Sequence, residues 1–288
     1  MILVDGVVHE GRIARFDYGD RGLTLGDGLF ETMIVFAGVV YRLADHLDRL
    51  AAGLAILGFA VERERLEADV AAMAARAPVD GGVLRLTVTR GPGVRGLAPP
   101  DDPTPTVLVS LAPLDSGLMM QPVRLAVSSI RRNDRSPLSR LKSLGYLDNV
   151  LAITEARARG AGDALILNTA ERVACASAAN VFRIAGDRLE TPPIVDGVLP
   201  GIVRARVLAL APDAGLAPVE RSLTERDLEE ADAVFLTNSV RLLQPVTEID
   251  GATLPHDGRG RVAALFDLVV ADVASETGHD PRGGRPAA

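Results

Sequence analysis

The chain has 288 residues, of which 48% are hydrophobic and 24% are charged, and its formal net charge is −7. This length provides a core for one large domain or two modest ones, and the dispersed arginines form no basic face for nucleic acid. The one cysteine, Cys175, excludes an intrachain disulfide, and the scattered histidines give no metal-ligand spacing. We expect a cytoplasmic protein without a membrane span, because neither a signal-peptide core nor a long apolar run is present.

The N-terminal part of the chain is predicted to combine β-hairpins with two helices. Short apolar runs on either side of Asp5-Gly6 and of Ala37-Gly38 indicate two hairpins. Leucines at positions 47, 50, 54 and 57 recur at spacings of three and four, which predicts an amphipathic helix over residues 44–58. The other predicted elements of this part are a helix at 62–76 and strands at 83–90 and 106–113.

The segment between those two strands contains GPGVRG (residues 91–96), which matches the glycine pattern of dinucleotide-binding loops. That pattern requires a helix to begin at its third glycine. Prolines follow here at positions 99, 100, 103 and 105 and prevent such a helix. We therefore predict a mobile loop at the rim of a pocket.

The second half of the chain alternates strands and helices. Residues 114–121 show no periodicity and are predicted to link a smaller N-terminal domain (1–114) to a larger C-terminal, cofactor-binding domain (121–275). The tail, residues 276–288, is predicted to be disordered. The predicted strands lie near 123–130, 164–168, 172–175, 180–184, 217–222, 233–237 and 245–249, and the predicted helices near 147–160, 202–212, 225–231 and 260–275.

Lys142 is the only lysine in a chain with 30 arginines. Arginine can fill any position that needs only positive charge, but its guanidinium cannot lose a proton and attack a carbon as an amine can. Lys142 is therefore a candidate Schiff-base residue. The alternative is that a GC-rich genome converted most lysines to arginine and that this one survived by chance.

The sequence around Lys142, LKSLGYLDNVLA, resembles the lysine motif of fold-type IV pyridoxal-phosphate enzymes. This class contains branched-chain and D-amino-acid aminotransferases and aminodeoxychorismate lyase. Five further segments resemble motifs of the class and occur in its order: DRGLTLGDGLFET (20–32), HLDRL (46–50), VACASAANVF (173–182), VLPGIVR (198–204) and TNSVRLLQPV (237–246). The resemblance covers nearly the whole chain. It implies a two-domain α/β (α+β) fold with pyridoxal phosphate in the interdomain cleft, and a homodimer that acts on a small-molecule amino substrate.

The resemblance also implies a role for individual residues. Lys142 would form the Schiff base with pyridoxal phosphate and then carry protons at the substrate carbon. A helix that begins after Pro200-Gly201 offers N–H groups suited to a phosphate. Outside the family context, these residues have ordinary structural explanations, such as a surface arginine or a turn serine. The other implied cofactor ligands are the Arg49 guanidinium, the backbone N–H groups of Ile202 and Val203, the Ser239 hydroxyl and, near the ring hydroxyl, Tyr146.

Two positions depart from the pattern of the class. Gly145 stands where asparagine is usual, and Cys175 stands where a glutamate pairs with the pyridine nitrogen. A carboxylate keeps that nitrogen protonated and so strengthens the ring as an electron acceptor, whereas a thiol does this far less well. The alternative for Cys175 is a small buried core residue.

Loss of the ring acid should impair transamination more than a β-elimination that is driven by aromatisation. We therefore expect a lyase that releases pyruvate from 4-amino-4-deoxychorismate to leave 4-aminobenzoate for folate synthesis, and residues 82–96 also resemble the lyase branch. Arg95 and Arg241 are the hypothetical carboxylate clamps, or else surface charges. The alternatives are an aminotransferase of branched-chain or D-amino acids and a catalytically weak or silent protein that binds pyridoxal phosphate.

Overall fold

The computed structural model describes residues 1–11, 13–255 and 257–283, and these divide into two compact units. The first unit comprises residues 1–115, 141–145 and the C-terminal residues from Val273. The second comprises residues 116–140 and 146–272. The five-residue segment that contains Lys142 thus belongs to the first unit, which the sequence did not indicate. The domain boundaries drawn from the sequence, 1–114 and 121–275, stay a prediction.

The first unit is built on a six-stranded antiparallel sheet. Its strands are β1 (Ile2–Val4), β2 (Val7–His9), β3 (Gly28–Phe36), β4 (Val39–Val40), β5 (Gly82–Thr89) and β6 (Thr106–Pro113). Its helices are α1 (Arg21–Leu25), α2 (Leu43–Leu57) and α3 (Arg63–Ala74). The strand order is β2-β1-β6-β5-β3-β4, so the chain builds the sheet from two hairpins and the long β5–β6 pair.

Side chains along β3 point alternately to the two sides of the first sheet, and the apolar ones identify the side that faces the core. Leu29, Met33 and Val35 point to one side and are buried in a cluster with the apolar faces of α2 and α3. Each such side chain contributes about 2 kcal/mol of burial free energy. Phe30 and Thr32 alternate with them and lie on the other side of the sheet, so β3 presents two chemically different faces.

The second unit is built on a nine-stranded mixed sheet. Its strands are β7 (Val123–Arg132), β8 (Asp163–Asn168), β9 (Val173–Ala176), β10 (Asn180–Ala185), β11 (Arg188–Thr191), β12 (Ala217–Glu220), β13 (Ala233–Asn238), β14 (Leu242–Ile249) and β15 (Ala252–Thr253). The order is β12-β11-β10-β13-β14-β7-β8-β9, with β15 paired to β14. The helices that follow its strands are α4 (Leu147–Ala158), α5 (Ile202–Leu210), α6 (Glu225–Glu229) and α7 (Arg259–Thr277).

Residue size on the two faces of β7 and β8 determines how the second sheet is covered. On one face, Ala126 and Ala164 lie opposite each other and pack with Ala152 and Ala156 of α4. Because these side chains are small, the helix backbone approaches the sheet closely. On the other face, larger residues such as Leu165 form a separate apolar cluster.

Most predicted elements lie where the sequence placed them, and the differences are local. The short α1 and β11 were not predicted, and β4 has only two residues because α2 begins at Leu43. The tail is not disordered from residue 276: α7 continues to Thr277, and Glu276 accepts a 2.9 Å hydrogen bond from the Arg42 N–H group. The part of that predicted tail beyond residue 283 lies outside the described residues.

One property bears on membranes. Across residues 1–11, 13–255 and 257–283, no helix combines the length and the apolar character needed to cross a bilayer.

Candidate active site

The segment that carries Lys142 runs alongside β3 and pairs with it through an isolated antiparallel β-bridge between Leu29 and Ser143. The Phe30 N–H group donates to the Lys142 carbonyl oxygen at 2.9 Å, and the Leu144 N–H group donates to the Gly28 carbonyl oxygen at 3.1 Å. Glycine is required at position 28, because a Cβ there would lie 2.5 Å from the Val88 carbonyl oxygen. These contacts fix the backbone from which the Lys142 side chain extends.

The Lys142 amine lies against an aromatic ring and among charged groups. Its Nζ is 4.3 Å from the centroid of the Phe30 ring. Burial lowers the pKa of Lys142 to about 8; the negative charge of Glu31 opposes this, and the positive charges of Arg49 and Arg85 add to it. An amine with this pKa is partly deprotonated near neutral pH and can act as a nucleophile or as an acid–base group.

A buried carboxylate on the core side of β3, Glu31, binds two side chains of helix α2. Glu31 is 1% exposed, and its two oxygens accept hydrogen bonds from His46 Nδ1 at 2.7 Å, Arg49 Nε at 2.8 Å and Arg49 Nη2 at 2.5 Å. Burial alone would raise the pKa of Glu31, but the hydrogen bonds from His46 and Arg49 hold it below its usual value. Burial lowers the pKa of His46, so its imidazole is neutral at physiological pH.

Helix α2 supplies both partners of Glu31. His46 and Arg49 are three residues apart, so they lie on one face of the helix and point together at β3. The helix ends at Gly58, whose φ of 79° is left-handed and lets its N–H group bond back to the Leu54 and Ala55 carbonyls. Because its guanidinium pairs with Glu31, Arg49 is a nearly buried side chain rather than a solvated surface arginine.

The loop with the glycine pattern is held by a buried arginine. The Arg21 guanidinium donates to the carbonyl oxygens of Gly96, Leu97 and Ala98 at 3.1, 2.8 and 3.2 Å, and also to Asp27 at 2.9 Å. Arg95, a predicted substrate clamp, lies on this loop and is exposed. The loop contains no helix, which agrees with the rejection of a dinucleotide site.

The second unit contains the remaining predicted ligands. The N–H groups of Ile202 and Val203 lie in the first turn of α5, where no side chain caps the helix. Ser239 follows the end of β13, and Tyr146 immediately precedes α4. Arg241 donates from Nη1 to Gln244 at 3.0 Å, so this predicted clamp already has a side-chain partner.

The start of α5 has the chemistry of a phosphate site. Thr237, which is buried, has a hydroxyl without a hydrogen-bond partner, and it lies opposite Asn180 in the β10–β13 ladder. Asn180 donates to the Leu199 carbonyl at 3.0 Å, and a Cβ on Gly201 would lie 2.0 Å from the Asn180 Oδ1. The uncapped N–H groups and the unpaired hydroxyl therefore suit a dianion such as the phosphate of pyridoxal phosphate.

Cys175 lies in β9, opposite Ile166 of β8. Burial raises the pKa of the Cys175 thiol; Arg132 acts to lower it and Asp163 to raise it further. The side chain is thus a neutral thiol at physiological pH, unlike the glutamate that the class pattern places there.

The structure places Lys142 and Arg49, which the resemblance assigned to one cofactor site, in the same unit, where the charge of Arg49 acts on the Lys142 amine. It also adds Glu31, His46 and Arg85, which the sequence had not singled out. The sequence did contain one indication that Glu31 is functional. Side chains alternate between the two faces of a strand, so Glu31 falls on the apolar face of β3, where an unpaired charge would be costly. No group of three or more metal-binding side chains occurs within the described part of the chain.

The chain resembles known proteins over nearly its whole length. A model of the family Amino-transferase class IV matches residues 28–249. A D-alanine aminotransferase of Listeria monocytogenes is 31% identical over 282 residues, which cover 96% of this chain and 97% of the relative. The crystal structure of 4-amino-4-deoxychorismate lyase from Pseudomonas aeruginosa superposes on this chain with a TM-score of 0.83 and 32% sequence identity. The match covers 95% of this chain and 99% of the lyase chain. The crystal structure of a branched-chain aminotransferase from Thermoproteus uzoniensis is 28% identical, with a TM-score of 0.85 and 96% of each chain covered.

Proposed function

We propose that this protein is a pyridoxal-phosphate-dependent lyase. The chain belongs to the class IV aminotransferases, a family that uses pyridoxal phosphate. The substrate is 4-amino-4-deoxychorismate, from which the enzyme releases pyruvate and leaves 4-aminobenzoate. When bound, pyridoxal phosphate supplies an aromatic ring that withdraws the electron pair of a bond broken beside the substrate amine. The protein supplies binding, orientation and proton transfer.

Lys142 is the acid–base group in this proposal and the residue that holds the cofactor aldehyde. Because burial lowers the pKa of its amine to about 8, the amine can accept and return a proton near neutral pH. Arg49, the first N–H groups of α5 and the Ser239 hydroxyl are the proposed phosphate ligands. Tyr146 is the proposed neighbour of the ring hydroxyl.

The observation that carries the choice of reaction is the side chain of Cys175. Because burial raises the pKa of this thiol, it remains neutral and carries no charge that would hold a proton on the pyridine nitrogen. Transamination depends on that proton for a strong electron sink. Elimination of pyruvate forms an aromatic product, and the aromatisation itself drives the step. The 32% identity to the Pseudomonas aeruginosa lyase supports the same choice.

Arg95 and Arg241 are proposed to hold the two carboxylates of the substrate. Arg95 is exposed on a loop whose following carbonyls are fixed by Arg21, so its backbone is anchored while its side chain can reach a ligand. Arginine suits this role because its fork of N–H groups matches a carboxylate.

The second candidate function is an aminotransferase of D-amino or branched-chain amino acids. The 31% identity to the Listeria monocytogenes D-alanine aminotransferase over nearly the whole chain favours it. A catalytically weak or silent protein that binds pyridoxal phosphate is the third candidate.

An assay panel separates these functions. The protein loaded with pyridoxal phosphate is incubated with 4-amino-4-deoxychorismate, and 4-aminobenzoate and pyruvate are quantified. D-alanine, L-alanine and branched-chain amino acids are tested in parallel for single-turnover conversion of the cofactor. Equal amounts of both lyase products, absent in Lys142→Ala, support the proposal. Cofactor conversion by an amino acid without lyase turnover would support an aminotransferase, and inactivity throughout would support the third candidate.

We also propose that the chain forms a homodimer. Tyr18, Leu23, Val94 and Leu97 are each more than three-fifths exposed. Their two segments are joined by a hydrogen bond from the Gly93 N–H group to the Gly19 carbonyl at 3.3 Å. Exposed apolar residues grouped in this way are typical of association surfaces. Light scattering should give twice the chain mass, and Leu97→Asp should lower it; a monomer at all concentrations would contradict the proposal.

A further inference from the structure

The second unit contains a cavity beside the end of helix α4. Its volume is about 320 Å³, which lies within the range of sites for small ligands. All the residues that line it belong to the second unit, and none of them is a proposed cofactor ligand. The lining residues are 124–126 of β7, 159–161 after α4, and Glu248, Asp250 and Gly251 at the end of β14 and beyond it.

A shift in strand register brings Glu248 to this cavity. Val246 of β14 lies opposite Val123 of β7. The next residue of β7, Arg124, lies opposite Glu248, so β14 has one extra residue between the two pairs. In a regular strand, Glu248 would share a face with Val246 and point into an apolar cluster. The extra residue reverses the alternation and turns the Glu248 carboxylate to the same side of the sheet as Arg124.

Helix α4 covers only part of that side of the sheet. Ala126 packs with alanines of α4, and Arg124, two residues earlier, points to the same side. The helix ends at Ala158, and the Arg124 guanidinium donates from Nη2 to the Gly160 carbonyl oxygen at 2.8 Å. Arg124 and Glu248 therefore line an opening next to the end of the helix.

Two of the charged groups in the cavity neutralise each other, and two do not. Arg159 donates from Nη2 to Asp250 Oδ1 at 2.6 Å and from Nη1 to the Val127 carbonyl oxygen at 2.8 Å. Arg124 and Glu248 face each other across the strand pair, but they form no ion pair with any residue that the structure describes. The cavity thus offers one guanidinium and one carboxylate, each with N–H groups or oxygens available to a ligand.

We propose that this cavity binds a small free α-amino acid, whose carboxylate is held by Arg124 and whose ammonium group is held by Glu248. Neighbouring strands lie about 5 Å apart, so one small molecule can contact both side chains. A guanidinium matches a carboxylate, and a ligand with one charge would leave the other protein group without a partner. The inference goes beyond the proposed reaction and does not rest on it, because the cavity contains no group assigned to the cofactor.

Saturation-transfer NMR with the full chain in its cofactor-free form measures this binding. L-alanine is the probe, and propionate and ethylamine are analogues that keep only its carboxylate or only its ammonium group. We expect saturable binding of L-alanine and about tenfold weaker binding of either analogue, because each loses one charge-assisted interaction. No saturable binding of L-alanine, or equally tight binding of propionate, overturns the proposal.

Two variants test the assigned residues. Arg124→Gln and Glu248→Gln each remove one charge from the cavity and should weaken L-alanine binding by about tenfold. Arg157→Gln is the matched control, because Arg157 is an exposed arginine in the last turn of α4 that does not line the cavity. Its Kd for L-alanine should equal that of the wild type. Wild-type affinity in both the Arg124 and the Glu248 variants means that L-alanine binds elsewhere, and it overturns the proposal.

Chemical protection locates the ligand without any substitution, so the test stays decisive should a variant not fold. Phenylglyoxal modifies exposed guanidinium groups, and peptide mapping follows each arginine separately. L-alanine at about ten times its Kd should slow the modification of Arg124 about tenfold, because it shields the guanidinium in the occupied site. The modification of Arg157 should keep its rate. An unchanged rate at Arg124 overturns the proposal.

Discussion

The Lys142 amine lies 4.3 Å from the centroid of the Phe30 ring, and the Arg85 guanidinium carbon lies 3.6 Å from the same centroid. One aromatic ring therefore contacts two cations. The face of an aromatic ring attracts a cation with about 0.5–1 kcal/mol at exposed sites. Phe30 thus favours the ammonium form of Lys142, against the effect of burial on its pKa.

Replacement of this ring should shift the titration of Lys142. We expect Phe30→Leu to lower the pH midpoint at which acetic anhydride labels Lys142, the only lysine, by about 0.5 pH unit, because the ring's attraction for the ammonium is lost. Phe59→Leu is the control, since Phe59 lies under Arg90 instead. If both variants shift the midpoint equally, the cause is a general loosening of the first unit and not the ring.

The depressed pKa of Lys142 should also appear in the stability of the cofactor-free protein. An amine with a pKa of about 8 when folded and 10.5 when unfolded binds fewer protons in the folded state between these values. Its destabilising effect is fully present below pH 8 and fades as the pH rises toward 10.5. We expect Lys142→Met to be more stable than the wild type at pH 7 by about 1 kcal/mol, allowing for partial solvent screening.

Thermal unfolding at two pH values tests this linkage. The difference in Tm between Lys142→Met and the wild type should be about 2–4 °C at pH 7 and smaller at pH 10. The comparison isolates Lys142, because every other group titrates in both proteins. A difference that stays constant or grows with pH would contradict the depressed pKa.

The role assigned to Cys175 leads to a gain-of-function variant. Cys175→Glu places a carboxylate where the class pattern has one, so it should strengthen the electron sink and accelerate any transamination half-reaction by about tenfold or more. The rate is followed by single-turnover absorbance changes with D-alanine and with branched-chain amino acids. Cys175→Gln is the control, because glutamine has nearly the same size as glutamate but carries no charge. No acceleration with glutamate would mean that another group serves the ring nitrogen.

The hydrogen bonds from Arg21 to the carbonyl groups of the glycine-patterned loop should protect that loop from proteolysis. Trypsin cleaves after arginine, and Arg95 is exposed beside the three carbonyls that Arg21 holds. We expect Arg21→Gln to raise the rate of cleavage between Arg95 and Gly96 by about tenfold, because local opening becomes easier. Peptide mapping of brief digests measures this rate. Arg42→Gln is the control. It breaks the ion pair between Arg42 and Asp45, which is more exposed than the pair between Arg21 and Asp27, and it should leave the cleavage rate unchanged.

Much of the fold was accessible from local patterns. The leucine spacing predicted α2 to within one residue at each end, and the strand at 106–113 has the predicted bounds. The family, the α/β fold class and the use of pyridoxal phosphate, inferred from six motifs in order, are confirmed. The exact reaction stays a proposal, because motifs shared by several activities identify cofactor chemistry better than substrate.

The local patterns failed where a contact outside the segment decided the outcome. Glu276 and its neighbours have the composition of a disordered tail, but the Arg42 N–H group binds the Glu276 carboxylate and α7 continues through Thr277. The Lys142 segment looked like part of a loop before α4, and its pairing with β3 placed it in the first unit.

The sequence by itself determined that one amine would stand alone among guanidinium groups, and its motifs identified the family and the cofactor that the family uses. Only the tertiary structure decided the electrostatic surroundings of that amine. Glu31, Arg49, Arg85 and Phe30 come from three separate elements, and their effect on Lys142 depends on distance and on the exclusion of water. Neither quantity is encoded in any one segment, because both arise only when the elements pack together.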